Sequence, residues 1–437
     1  MSGEPPWNAV LRHVAICGVI GLATGLVGAG FRRTLDGLSA MREALFDRMH
    51  HAGPVSLLAW CAGVFLLGWG IGFTVRRFAR AAAGSGIQDV EAVIRRAHPM
   101  RWLRLGVVKF IGGALGIGGG LSLGREGPTV QLGAAVAQAV GGGLRMPGGE
   151  IHRLLGVGAG AGLAAAFNAP LAGLAFIFEE LRRGIATRNM LGAMVATVSA
   201  ALVTRHFCGA APLLPGGGGA PLSLDLVPLL ALLGAVAGVG GAILNVALVA
   251  AERRAARLPE TSQRMLPGFA LVAVALVGWT IPDATGDGLD VVQRLLAPGE
   301  SATFAVTALL LLLVAKFATT VLSYGSGAPG GIFSPMLLIG ALTGLVTCRL
   351  VAHAVPDLAQ HESACALFAM AAIFTASVRA PLTGVLLMIE IAGDHRQVIG
   401  LAVASVVAFM TAEALGSRPI YETLLADELG RDARRPG

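Results

Sequence analysis

From Leu226 to Ala250 the chain runs without a charged residue, and Val55–Val75 does the same. Further uncharged stretches lie at Ala302–Ala315 and Leu401–Ala412. A helix needs roughly 20 apolar residues to cross the hydrocarbon of a bilayer. Inside lipid the backbone must satisfy its own polar groups, which favours helices. Only 14% of the residues are charged, against about 25% in an ordinary soluble protein. So few charges cannot coat a water-facing surface around runs this numerous, which excludes a soluble globular class. The chain reads as an all-α, polytopic membrane protein, one transmembrane domain over residues 1–437.

The net charge of +7 comes almost wholly from arginine. Clusters at Arg32-Arg33, Arg76–Arg80, Arg95–Arg104, Arg182-Arg183, Arg253–Arg257 and Arg431–Arg435 fall between the apolar runs. That spacing suits loops lying against anionic lipid. Short clusters broken by membrane-length runs do not suit a nucleic-acid surface. The five cysteines are scattered without a CxxC, so they imply neither a metal site nor a disulfide frame, and no cofactor is expected. Met1–His13 lacks the features of a cleaved leader, and Val14–Phe31 reads as a first, retained helix.

Glycine-rich breaks at Gly112–Gly120, Gly141–Gly143, Gly156–Gly162 and Gly325–Gly331 interrupt apolar sequence. Broken helices are tolerated at membrane depth where they are buried in protein or line a wet cavity. Close helix packing through small residues accounts for many of these glycines, but not for Gly-Pro pairs beside charges. The chain also repeats itself. Lysine occurs only at Lys109 and Lys316, each followed by phenylalanine. The same offset pairs Gly124 with Gly331, Pro128 with Pro335 and Gly133 with Gly340. Ala169-Pro170-Leu171 then matches Ala380-Pro381-Leu382, and Glu179 falls on Glu390. Two related halves, about residues 10–208 and 222–415, are joined by a linker at 209–221 and followed by a short tail at 422–437. Repeats in a membrane protein point to a transporter with its site between them.

Five places carry candidate chemistry. Gly124-Arg125-Glu126-Gly127-Pro128 precedes a helix predicted over Pro128–Ala137. A helix N-terminus offers free amides and partial positive charge, which a carboxylate or a halide can use. Glu126 can therefore compete with an anion for one place, or simply cap its helix. Its repeat partner, Gly331-Ile332-Phe333-Ser334-Pro335, brings no carboxylate of its own. The amides of Ile332 and Phe333 could bind an anion weakly, as turnover requires, or the segment is merely a turn. Gly84-Ser85-Gly86-Ile87 and Arg418-Pro419-Ile420-Tyr421 each offer a hydroxyl. Tyr421 reads equally as an interfacial belt residue. Finally, Glu179-Glu180 follows an apolar run, where carboxylates are functional by default. Glu179 has its repeat partner and reads as structural. Glu180 has none and reads as a proton carrier, or as a helix end beside Arg182 and Arg183.

With these motifs in order, the chain resembles the CLC family of chloride channels and chloride/proton antiporters over about residues 10–425. The resemblance implies two inverted halves and a homodimer in the lipid bilayer, each subunit with its own pathway for chloride and protons. It implies that Ser85 and Tyr421 donate hydroxyls, and Ile332 and Phe333 amides, to a central chloride. Glu126 matches the external gating glutamate and Glu180 the internal proton-transfer glutamate. Gly124, Arg125, Gly127 and Gly331 support the pathway. Gln88-Asp89 departs from the family's usual Pro-Glu, which puts the loop carrying Ser85 in question. A supporting pair of Glu91 with Lys109 is also expected.

The implied function is exchange of chloride for protons across a cell membrane, the bacterial inner membrane being expected, with Glu126 as a gate that chloride displaces once it is protonated. The alternative is a passive chloride channel on the same fold, which Glu180 disfavours. A fluoride exporter is disfavoured by Ser85 and Tyr421. An intramembrane enzyme would need a nucleophile or metal cluster that the sequence lacks, and no GxxxxGK[ST] phosphate loop is present.

Overall fold

The computed structural model describes residues 7–50, 53–95, 99–181, 187–214, 227–297 and 304–432. The Gly216–Gly219 run, the Arg182-Arg183 pair and the last arginines, Arg434 and Arg435, lie outside the described residues. Within them the chain is helical. The first half forms α1 (Trp7–His50), α2 (Pro54–Phe78), α3 (Ile87–Ile94), α4 (Trp102–Gly118), α5 (Glu126–Gly143), α6 (Gly148–Phe167), α7 (Pro170–Phe176) and α8 (Thr187–Cys208). The second forms α9 (Val227–Ala256), α10 (Glu260–Thr280), α11 (Leu289–Leu296), α12 (Val306–Gly325), α13 (Phe333–Ala352), α14 (Glu362–Val378), α15 (Pro381–Ala392) and α16 (Val398–Ala414). Helix α17 (Ile420–Asp432) follows. Seven of these helices, among the described residues, are long and apolar enough to cross a membrane. Large apolar side chains such as Val55, Leu58, Val246, Leu311 and Val314 stand exposed on their faces, as lipid contact requires.

Element for element, the first eight helices recur as the second eight. Packing follows the same plan: α1 lies on α8 as α9 lies on α16, and α5 on α6 as α13 on α14. These contacts need glycine. A Cβ on Gly133 would stand 2.0 Å from the carbonyl oxygen of Gly158, and one on Gly158 2.2 Å from that of Gly133. The halves meet through α2 with α10 and through α7 with α15.

Their central join is a pair of equivalent glycines. Gly124 N–H donates to Gly331 O and Gly331 N–H to Gly124 O, each at 2.7 Å. This reciprocal pair is antiparallel, so corresponding segments run in opposite directions there, as two inverted halves require.

Two local expectations change in detail. Helix α1 is far longer than Val14–Phe31: its 44 residues span about 66 Å at 1.5 Å per residue. No proline interrupts the sequence after Phe31, and Arg32 pairs with Asp36 one turn on. Phe46 near its end packs edge-on against Trp60 and Trp279. The stretch from Glu422 continues helix α17, which packs on α3 and α9. Arg253 pairs with Asp427 at 2.6 Å and Arg431 with Glu252 at 2.7 Å to hold it there.

Candidate anion and proton site

Four helices begin at the centre of the molecule. Helix α5 starts at Glu126 with Arg125 as its N-cap, and α13 starts at Phe333 with Ile332 as its N-cap. Helix α3 starts just after Ser85, and α17 begins at Ile420, one residue before Tyr421. Each brings first-turn amides without intrahelical partners and the positive end of a helix dipole. Helix α5 begins two residues before the predicted Pro128, which puts Glu126 itself in the first turn.

Glu126 is wholly buried. Its Oε1 accepts the Ser334 amide at 3.0 Å and its Oε2 the Ser334 hydroxyl at 2.8 Å. The carboxylate of one repeat thus lies on the helix N-terminus of the other. It lies so close to Gly124 that a Cβ there would stand 2.0 Å from Oε1, and one on Gly331 would stand 2.7 Å from it. A Cβ on Gly127 would meet Ser85 Oγ at 2.7 Å and Gly331 Cα at 2.9 Å. The glycines of the α5 and α13 loops therefore let Ser85, Glu126 and Ser334 converge.

Ser85 Oγ and the Tyr421 hydroxyl are both buried, and each has only the other beside it as a polar neighbour. Two hydroxyls side by side can spend only one of their two hydrogens on each other, so one donor is left for a further acceptor, and a buried donor without one costs about 1–3 kcal/mol. The Tyr421 and Phe333 rings pack with centroids 6.1 Å apart, and Phe374 and Phe176 pack on Phe333 in turn. This apolar wall carries no full positive charge.

The loop bearing Ser85 is anchored by a lysine. Lys109 Nζ donates to Gly84 O at 2.7 Å and Ala82 O at 3.2 Å. The expected partner Glu91 is bridged instead to Arg95, one turn along α3. In the second half Lys316 Nζ donates to Gly286 O at 2.7 Å. The two lysines that mark the repeat thus hold equivalent loops, Gly84-Ser85-Gly86 and Gly286-Asp287-Gly288. Gln88-Asp89 leaves Ser85 in place: buried Asp89 accepts a hydrogen bond from Gln131 Nε2 at 2.8 Å.

Glu179 and Glu390 cap each other's helices. Glu179 accepts the amides of Leu382 and Thr383, at 2.9 and 2.6 Å, at the start of α15. Glu390 accepts those of Leu171 and Ala172, at 3.0 and 2.8 Å, at the start of α7. The Ile177–Leu181 turn is π-helical, a form frequent at functional sites, and it carries half-buried Glu180. Glu180 is among the charges acting on Tyr421. In its place the second half has buried Ile391 on a regular α-helix.

Cavities approach from opposite sides. One, about 330 Å³, is lined by Gly84, Gln88, Tyr324, Arg76, Arg80 and Arg431 among others. The other, about 340 Å³, is lined among others by Gly286, Asp287, Arg42, Asp290 and Arg294. Arg125 pairs with Asp287 at 3.3 Å. No group of side chains suited to hold a metal occurs among the described residues. Ser334 and Asp287 were not foreseen from the sequence. The one sits in full view inside the second motif; the other is found only once the two lysine-anchored loops are seen to be equivalent.

The sequence profile of the family described as "Voltage gated chloride channel" matches residues 67–413. The chain is 36% identical over 428 residues to the H(+)/Cl(-) exchange transporter ClcA of Salmonella agona, covering 96% of this chain and 89% of that protein. ClcA of Salmonella arizonae is 35% identical with the same coverage. A solved structure of a slow cyanobacterial Cl-/H+ antiporter superposes with a TM-score of 0.91 at 31% identity, covering 99% of this chain and 100% of that one. A CLC-type fluoride/proton antiporter shares the fold, with a TM-score of 0.79 at 22% identity.

Proposed function

The chain belongs to the voltage-gated chloride channel, or CLC, family, and from that premise we propose that it is a secondary active transporter exchanging chloride for protons, with Glu126 as the shared gate. The observation that carries this reading is the Glu126 carboxylate seated on the amide and hydroxyl of Ser334 at the start of α13. Those donors suit any anion. While ionised, Glu126 occupies the place itself. Protonated, it loses its charge-assisted hold, turns aside, and chloride takes the helix end. Two unit negative charges about 4 Å apart repel by about 4 kcal/mol at an effective dielectric near 20, so the ionised carboxylate and chloride exclude one another. A proton on Glu126 and a chloride in the site favour each other, which is the linkage that exchange needs.

The central chloride is held by the Ser85 and Tyr421 hydroxyls and the Ile332 and Phe333 amides. All of these are neutral, so binding stays weak enough for release. Gly124, Gly127 and Gly331 give the close approach, and Arg125 supplies charge at the mouth. Glu180 passes protons between the inner solution and Glu126. Helix ends rich in arginine, at α2 and α9, face the cytoplasm by the positive-inside rule. We read the repeats as about 10–208 and 222–415, and the protein as a homodimer in the cell membrane that performs no chemical conversion.

The test is simultaneous chloride and proton flux in proteoliposomes. Wild type is expected to pump protons against their gradient when chloride runs downhill, and Glu126→Gln to conduct chloride with no coupled protons. A passive channel would pump none, and proton pumping that survives Glu126→Gln removes Glu126 as the gate.

A further inference from the structure

Asp287 stands where the second half repeats Ser85. The two loops have one backbone: Gly84 and Gly86 have φ of 59° and 82°, Gly286 and Gly288 of 64° and 85°. Each receives a buried lysine at 2.7 Å on its first carbonyl, and each leads into an eight-residue helix. One loop offers a hydroxyl, suited to an anion. The other offers a carboxylate, which repels one.

That carboxylate is held in place. Asp287 Oδ1 accepts the Leu289 amide at 3.1 Å, and Oδ2 lies 3.3 Å from Arg125 Nη2. Arg125 is 7% exposed, and its Nε has no hydrogen-bond partner. It immediately precedes Glu126, and Asp287 is in turn among the charges acting on the Glu126 carboxyl. Asp287 also lines the cavity that faces away from the arginine-rich helix ends, which makes that cavity the outer one. A full positive charge taken out of water beside a chloride site binds anions tightly unless it is neutralised, and tight binding stops turnover.

We propose that Asp287 is a positioning residue for exchange: as the standing counter-ion of Arg125, it keeps the outer mouth from becoming a chloride trap. The proposal rests on the exchange reading above. Its test is chloride binding, which can be read whether or not protons are coupled. It is made in a Glu126→Gln background so that the gate does not compete. Calorimetry of purified protein is expected to show chloride binding roughly three- to tenfold tighter when Asp287→Asn is added. Asp287→Ser, which copies the residue of the other loop, serves where the asparagine variant misfolds and is expected to act alike. Asp287→Glu should keep the Glu126→Gln affinity within about twofold. Adding Arg125→Gln to either neutral variant should remove the gain. Unchanged or weaker binding in both neutral variants overturns the proposal. So does a gain that persists without Arg125, since Asp287 would then act on the anion directly. Loss of coupled flux in wild type would overturn the exchange reading and leave this binding result standing.

Discussion

At the scale of residues, the two neighbouring buried hydroxyls give a test that separates binding from structure. Tyr421 is fully buried, and the polar group beside its hydroxyl is the Ser85 side chain. Removing one of two hydroxyls that have only each other costs the fold little, while removing half of a hydrogen bond to a bound anion costs about 1 kcal/mol or more. Tyr421→Phe should therefore keep its melting temperature in chloride-free buffer and bind chloride several-fold more weakly by calorimetry. A lower melting temperature with unchanged affinity would make the hydroxyl structural. Glycine and proline at fixed spacing marked the loops of Glu126, Ile332 and Phe333, and the resemblance to the CLC family added Ser85 and Tyr421, which the structure sets beside each other. Ser334 was not legible in the sequence, because its role comes from a carboxylate in the other half of the chain, and no local pattern carries that.

At the scale of elements, the exchanged caps of α7 and α15 carry the prediction. Each helix begins with proline, so its first amides find their acceptor across the repeat interface. Losing a helix cap costs about 0.5–2 kcal/mol. Glu179→Ala should lower the melting temperature, as should Glu390→Ala, and the double substitution should cost close to the sum, since the two carboxylates serve different helices. Unaltered thermal stability in both single variants would show that the caps contribute nothing. Next to Glu179 the π-helical turn sets Glu180 apart from its counterpart Ile391. Glu180→Gln is expected to stop proton movement while chloride still flows, read in the same proteoliposomes; persistent proton flux would free Glu180 of the relay role. The sequence disclosed the repeat through two lysines and a handful of glycines. The equivalence of Gly84–Gly86 with Gly286–Gly288 escaped it, because the spacing to each lysine differs and only glycines are shared. Backbone conformation, which the glycines encode, reveals what side-chain identity hides.

At the scale of the whole molecule, an exchanger and a channel differ in what sets their zero-current voltage. In a planar bilayer with symmetric chloride, a pH gradient should displace the reversal potential of this protein, and Glu126→Gln should bring it back to zero. A wild-type potential indifferent to pH would make the protein a channel on an exchanger's frame. The helical membrane architecture was legible because hydrophobic length and scarce charge leave few alternatives. The reach of α1 to His50 and the packing of α17 were not, since both depend on tertiary partners such as Trp60, Trp279 and Glu252.

The glycine pair at the centre has a mechanical consequence. Gly124 and Gly331 use both backbone groups on each other, and pulling them apart would strip four buried polar atoms of their partners. The halves are pinned at their common axis and cannot rock apart there as two rigid bodies. Passage must then be opened by small parts swinging around a fixed pivot: a carboxylate, a ring, the tip of a helix. Distances measured by paired labels across that pivot should hold steady through a transport cycle, even as the side chains around it trade places.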